Sequence, residues 1–135
     1  MDDTLIRMNL TAAVAVFVGA GSGALLRWVL NLALNPLWST LPLGTVAANL
    51  GGGLLAGAAA QWFELRAGLP PELRLLLITG FLGGLTTFSA FSLELMALLQ
   101  QGRHAWLLGS VLLHVAGSLL CALLGAALLR GLLSA

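Results

Sequence analysis

Apolar residues run in four long blocks along the chain, at about 8–29, 41–63, 75–99 and 105–129, with the polar residues gathered between them. Each block is close to the roughly 20 residues a helix needs to cross the hydrocarbon layer of a bilayer. The pattern predicts an all-α membrane protein with four transmembrane helices. Short breakers divide the blocks: Asn35-Pro36, the stretch 64–74 with Gly68, Pro70 and Pro71, and the polar run 100–104. An even number of crossings leaves both termini on one side. No polar linker, long repeat or second core interrupts the pattern, so residues 1–135 read as a single transmembrane domain. The first block is longer than a signal-peptide core and has no clear cleavage site, so it is expected to be retained as a span.

Composition sharpens this picture. The chain is 59% hydrophobic and 8% charged, far below the roughly 25% charged share of a soluble domain, and its mean hydropathy is +1.01. The six basic residues are all arginine, scattered singly, and the net charge is +1, which excludes nucleic acid as a partner. The lone Cys121 lies in the last block, where it cannot form an intrachain disulfide and reads as a small packing residue. Counting arginines by side sets Arg7, Arg66, Arg74 and Arg130 against Arg103 and the membrane-edge Arg27. So small a margin fixes orientation weakly, and a chain that inserts both ways fits it.

Small residues recur at four-residue steps: Gly19 and Gly23, Gly53 and Gly57, and Gly117, Cys121 and Gly125. Such stripes let helices approach closely, within one chain or between two. For so small a membrane chain, homodimerisation is the expected use.

In hydrocarbon an unpaired polar group costs several kcal/mol, so polar residues inside the spans mark surfaces that lipid does not see. Thr45 and Asn49 share one face of the second span, and Ser110, His114 and Ser118 form a stripe on the fourth. A hydroxyl can bond back to its own helix. The Asn49 amide, with two donors and two acceptor lone pairs, cannot be satisfied that way. His114 suits either an interhelical bond or a cavity lining, and with His104 distant and no third ligand near, it does not suggest a metal site.

The third block contains GFLGGLTTFSAFS at 80–92. Glycine within a helix costs up to about 1 kcal/mol relative to alanine, and Gly83-Gly84 followed by Thr86-Thr87 is a poor helix sequence. The third helix is therefore expected to break near its middle. Irregular backbone at membrane depth survives where it is buried or lines a watery site, and carbonyls freed there commonly hold a cation. An alkali ion is the expected guest. Downstream, Phe88 and Phe91 share a face, and Ser89 and Ser92 an adjacent one. Phenylalanine in a membrane is ordinarily packing, but its ring edge carries partial positive charge, and edges beside hydroxyl and amide donors suit an anion route. Glu94 is an intramembrane acid that either serves function or reaches water near the span end. Arg27, beside Trp28, suits snorkelling or an anion-attracting mouth.

Four stretches, GALLRW (23–28), PLGTVAANLGG (42–52), TGFLGGLTTFSAFSLE (79–94) and AGSL (116–119), resemble the Fluc fluoride channels, also called CrcB. The similarity runs over nearly the whole chain, and the third stretch is long enough to be highly specific. It implies a channel, not an enzyme, built as an antiparallel, dual-topology homodimer with paired fluoride pathways and a central structural sodium ion. The implied role is passive export of fluoride from the cytoplasm across a bacterial inner membrane, to limit its toxicity. By position, Phe88 and Phe91 match the family's pore phenylalanines and Asn49 its second-span asparagine. Gly83 and Thr86 match the residues whose backbone carbonyls hold sodium. Thr87 and Ser118 fall on its polar track, Arg27 on its vestibule arginine, and Glu94 on a recurrent acid of the third helix.

His114 departs from that pattern, since a serine or asparagine is expected on the track there. A neutral imidazole donates one hydrogen bond and a protonated one adds charge, so flux is expected to depend on pH between about 5 and 8. Two rivals come from other classes. A small proton-coupled antiporter would need Glu94 as its coupling carboxylate, and Glu94→Gln would abolish it while leaving passive anion flow. A non-transporting membrane subunit would show no flux when reconstituted alone.

Overall fold

The structure, a computed structural model, describes residues 10–134. Arg7 of the arginine tally and Met8 at the start of the first block lie outside the described residues. Among the described residues all regular structure is helical, and four helical stretches are long and apolar enough to cross a membrane: Leu10–Leu37, Leu43–Leu65, Pro71–Gln100 and His104–Ser134. This is a multi-pass membrane protein.

Helix α1 (Leu10–Leu34) runs further than the expected end near 29, because no breaker intervenes before Asn35-Pro36, which form a short 3-10 turn Asn35–Leu37. The Asn35 side chain then caps the next helix, its Oδ1 accepting from the Gly44 N–H at 2.7 Å at the start of α2 (Leu43–Leu65). Helix α3 (71–85) begins earlier than the apolar block, with Pro71 in its first turn, where a missing N–H costs nothing, and with Glu72 beside the positive end of the helix dipole. It widens into π-helical geometry over Leu75–Leu82 and closes with one α turn, Gly83–Leu85.

Helical bonding stops at Thr86 and Thr87, whose backbones are extended (φ −78°, ψ 153° and φ −149°, ψ 119°). Helix α4 (Phe88–Gln100) follows. Its end turns sharply on Gly102, the residue with φ +69°, while the Arg103 N–H bonds the Leu98 carbonyl at 2.9 Å. Helix α5 (His104–Ser134) contains a second π-helical turn at Leu113–Gly117.

Two helix pairs dominate the packing, α1 on α3 and α2 on the C-terminal part of α5. The glycine stripes make them. A Cβ on Gly19 or Gly23 would strike the backbone of α3, one on Gly57 the Ala122 carbonyl, one on Gly125 the Leu54 carbonyl, and one on Gly53 would come within 2.7 Å of the Ser118 carbonyl. These glycines are thus already used inside a single chain, which accounts for them without a second copy. Large apolar side chains such as Phe17, 80% exposed, and Leu10, Leu112 and Leu120 point outward, as lipid-facing residues must.

Aromatic and basic residues mark both ends. Trp38 and Trp106 meet edge to face at 5.8 Å, with the Arg103 guanidinium 5.9 Å from the Trp106 ring and donating to Thr40 Oγ1 at 3.0 Å. At the opposite end Arg74 lies over Phe63, and Arg130 donates to the buried Gln61 at 2.7 Å.

Candidate functional site

The interruption at Thr86-Thr87 is built from bonds that replace those of a helix. In an unbroken helix the Thr87 N–H would bond the Gly83 carbonyl and the Ala90 N–H the Thr86 carbonyl. Here the Thr87 N–H donates to Asn49 Oδ1 at 2.7 Å, and the Ala90 N–H to Thr87 Oγ1 at 3.1 Å, the side chain of Thr87 acting as N-cap of α4. The Gly83 and Thr86 carbonyls are thereby released from the ladder. The next carbonyl, that of Gly84, accepts from Arg27 Nε at 3.1 Å.

Arg27 lies within α1 and turns toward α3, where its Nε bonds backbone. The Gly83 and Thr86 oxygens are the donor type a hard cation takes, and Gly83 is exposed in the single chain. Among the described residues no three His, Cys, Asp or Glu side chains gather to hold a metal. A cation at this point would be held by main-chain oxygens.

Asn49 joins the interruption to α5. Its Nδ2 donates to the Thr87 carbonyl at 3.1 Å and lies 3.0 Å from His114 Nδ1, so one amide bonds both faces of the Thr87 backbone and the imidazole. The His114 ring stacks on Phe91, centroids 4.5 Å apart and planes 25° from parallel, and Phe91 meets Phe88 edge to face at 5.7 Å. Phe91 is 3% exposed and Phe88 77%. The two phenylalanines that share a helical face thus differ in setting: one is packed against histidine, the other stands open on the flank of the single chain.

These residues line one groove of about 420 Å³, whose walls include Asn49, Gly83, Thr86, Thr87, Phe88, Phe91, His114 and Ser118. Among the described residues its lining carries no carboxylate and no arginine. Its polar residues carry an amide, hydroxyls and an imidazole, set against apolar walls from Ala56, Ile78, Leu82 and Val115. Such a lining offers partial charges along a route without a fixed charge to trap an ion.

Arg27 and Glu94 lie outside the groove lining. Glu94 Oε1 accepts from the hydroxyl of Thr45, which is 1% exposed, at 2.6 Å, and the residue borders a smaller cavity of about 140 Å³ with Thr40, Arg103 and Ser110. Sequence reasoning placed Thr45 and Asn49 on one face but missed that the two serve different partners. It also missed the capping role of Thr87 and the Arg27–Gly84 bond, which join residues far apart in the chain and leave no local signature. The π-helical turn around His114 likewise has no sequence pattern that marks it.

Comparison with known proteins covers the stretch that holds these residues. A family model described as CrcB-like protein, Camphor Resistance (CrcB), matches residues 14–126. The chain is 54% identical over 118 residues to a protein of Nitrosospira multiformis named fluoride-specific ion channel FluC, covering 87% of this chain and 92% of that one. It is 56% identical over 112 residues to a FluC of Burkholderia cenocepacia, covering 83% and 88%. To a FluC of Tolumonas auensis it is 54% identical over 118 residues, covering 87% and 93%.

Proposed function

The chain belongs to the CrcB family, and from that premise we propose that it is a fluoride-selective channel that lets fluoride leave the cytoplasm passively along the groove of Asn49, Thr87, Phe88, Phe91, His114 and Ser118. One observation carries the reading. The groove is lined by neutral polar side chains and phenylalanine rings in a wall free of fixed charge. Fluoride is small and tightly hydrated, so each step must replace part of its water shell yet release it again. Hydroxyl hydrogens and the positive edges of aromatic rings do this by degrees, with the Asn49 amide holding the backbone beside them. Hydrogen fluoride that leaks inward loses its proton and is trapped as the anion until a channel passes it.

The working unit is a homodimer of antiparallel subunits in the bacterial inner membrane, with sodium at its centre. Gly83 and Thr86 would hold that ion through their released carbonyls, and its charge would satisfy oxygens that the interrupted helix leaves without donors. Arg27, fixed on the Gly84 carbonyl, holds a positive charge near the vestibule without entering the lining, where it would bind the anion too tightly. The antiporter alternative gains nothing from the structure, since Glu94 is bonded to Thr45 and does not line the groove.

The deciding experiment is fluoride efflux from liposomes that contain only this purified polypeptide, followed with a fluoride electrode. Rapid efflux is expected, and replacing both Phe88 and Phe91 with isoleucine should stop it while the protein stays assembled. Absence of efflux from the wild-type chain, or undiminished efflux from the double variant, would overturn the assignment.

A further inference from the structure

His114 is 5% exposed and sits within the π-helical turn Leu113–Gly117. Its Nδ1 is 3.0 Å from Asn49 Nδ2, and its Nε2 is buried with no hydrogen-bond partner. The orientation of the Asn49 amide follows from what it meets. The Thr87 N–H can only donate and the Thr87 carbonyl can only accept, so the Asn49 oxygen must face the first and its NH₂ the second. The remaining hydrogen of that NH₂ points at His114 Nδ1, which must then accept. An imidazole that accepts at Nδ1 is neutral and carries its proton on Nε2.

We infer that His114 is a positioning residue for the anion route: its unprotonated Nδ1 latches the Asn49 amide, which in turn holds the Thr87 backbone at the helix interruption, and a proton on Nδ1 releases the latch. The inference rests on the channel reading and deepens it. A protonated Nδ1 would set N–H against N–H. Flipping the amide offers no escape, because it would face NH₂ to the Thr87 N–H and oxygen to the Thr87 carbonyl. The proton must therefore displace Asn49 or the stacked Phe91, both of which line the groove.

Among the described residues no carboxylate lines the groove to soften this. His114 touches Asn49 from α2 and Phe91 from α4, both neutral, and among the residues lining the groove it is the one titratable side chain. On α4, Glu94 bonds the Thr45 hydroxyl through Oε1, its Oε2 is buried without a partner, and the residue lies outside the groove lining, as does Arg27, whose Nε is held by the Gly84 carbonyl. Latch and ion route thus share their residues, and acid acts on both.

The test uses the full-length protein in lipid bilayers with His104→Gln, which removes the exposed second histidine and leaves His114 as the one imidazole. Solid-state ¹⁵N NMR near neutral pH should show the Nε2–H tautomer, and an Nδ1–H signal would overturn the inference. In liposome flux, corrected for protein-free leak, the wild-type rate should fall several-fold between about pH 8 and pH 5, the range of histidine titration. His114→Gln keeps an acceptor for Asn49 but cannot titrate, so its pH 8 to pH 5 ratio should be close to one; a ratio like the wild type would also overturn the inference. A wild-type protein that conducts no fluoride at any pH would instead fail the channel reading, while the tautomer signal would still decide the latch.

Discussion

At the scale of single residues, the structure depends on side chains that do work usually done by backbone. Asn49 is the clearest, because it alone answers both the N–H and the carbonyl of Thr87. Asn49→Leu keeps the approximate volume but strands those two groups, each at a cost of about 1–3 kcal/mol when buried. The variant should unfold at markedly lower denaturant in detergent, and an unchanged midpoint would show that water replaces the amide without loss. Thr45 gives a second, separable case. Its hydroxyl is the partner of Glu94 Oε1, and Glu94 Oε2 is buried with none. Thr45→Val should therefore destabilise by about 1–3 kcal/mol while Thr45→Ser stays near wild type, measured in the same unfolding assay.

At the scale of helices, the same economy appears in caps and close crossings. Thr87→Val removes the acceptor for the Ala90 N–H and should lower stability by about 0.5–2 kcal/mol, a loss that Thr87→Ser restores. Gly57→Ala and Gly125→Ala each press a methyl into a facing backbone carbonyl, so each should destabilise by about 1–3 kcal/mol through forced separation of α2 and α5. Gly131→Ala, where a Cβ meets nothing within 4 Å, should be neutral or slightly stabilising. The four helices were legible because hydropathy states them directly, as were their breaks at Asn35-Pro36 and Pro70-Pro71. The glycine pairs announced close crossings but not whose, because a four-residue spacing describes a surface and not the partner that covers it. The groove residues could be named from the sequence. Their mutual bonds could not, since Asn49, Thr87 and His114 meet only once three helices are in place.

At the scale of the molecule, the single chain leaves its most unusual surface open. Phe88 is 77% exposed, and Gly83 beside the interruption is exposed as well, although both border the groove. Lipid tails can cover a phenylalanine ring, but they offer nothing to the released carbonyls of Gly83 and Thr86, and unpaired oxygens in hydrocarbon are costly. A second inverted copy bringing its own pair of carbonyls, with a sodium ion between the two sets, would satisfy all of them at once. The ion would then be part of the assembly, so removing it should loosen the dimer and not merely slow flux. Static light scattering after size exclusion in sodium should give a protein mass about twice 13.9 kDa. Exchange of all sodium for N-methylglucamine should lower the melting temperature and shift the population toward single chains, with recovery when sodium returns. A single-chain mass in sodium would remove the dimer from the proposal. A dimer whose mass and melting temperature ignore the exchange would leave the carbonyls of Gly83 and Thr86 to be satisfied by some other partner.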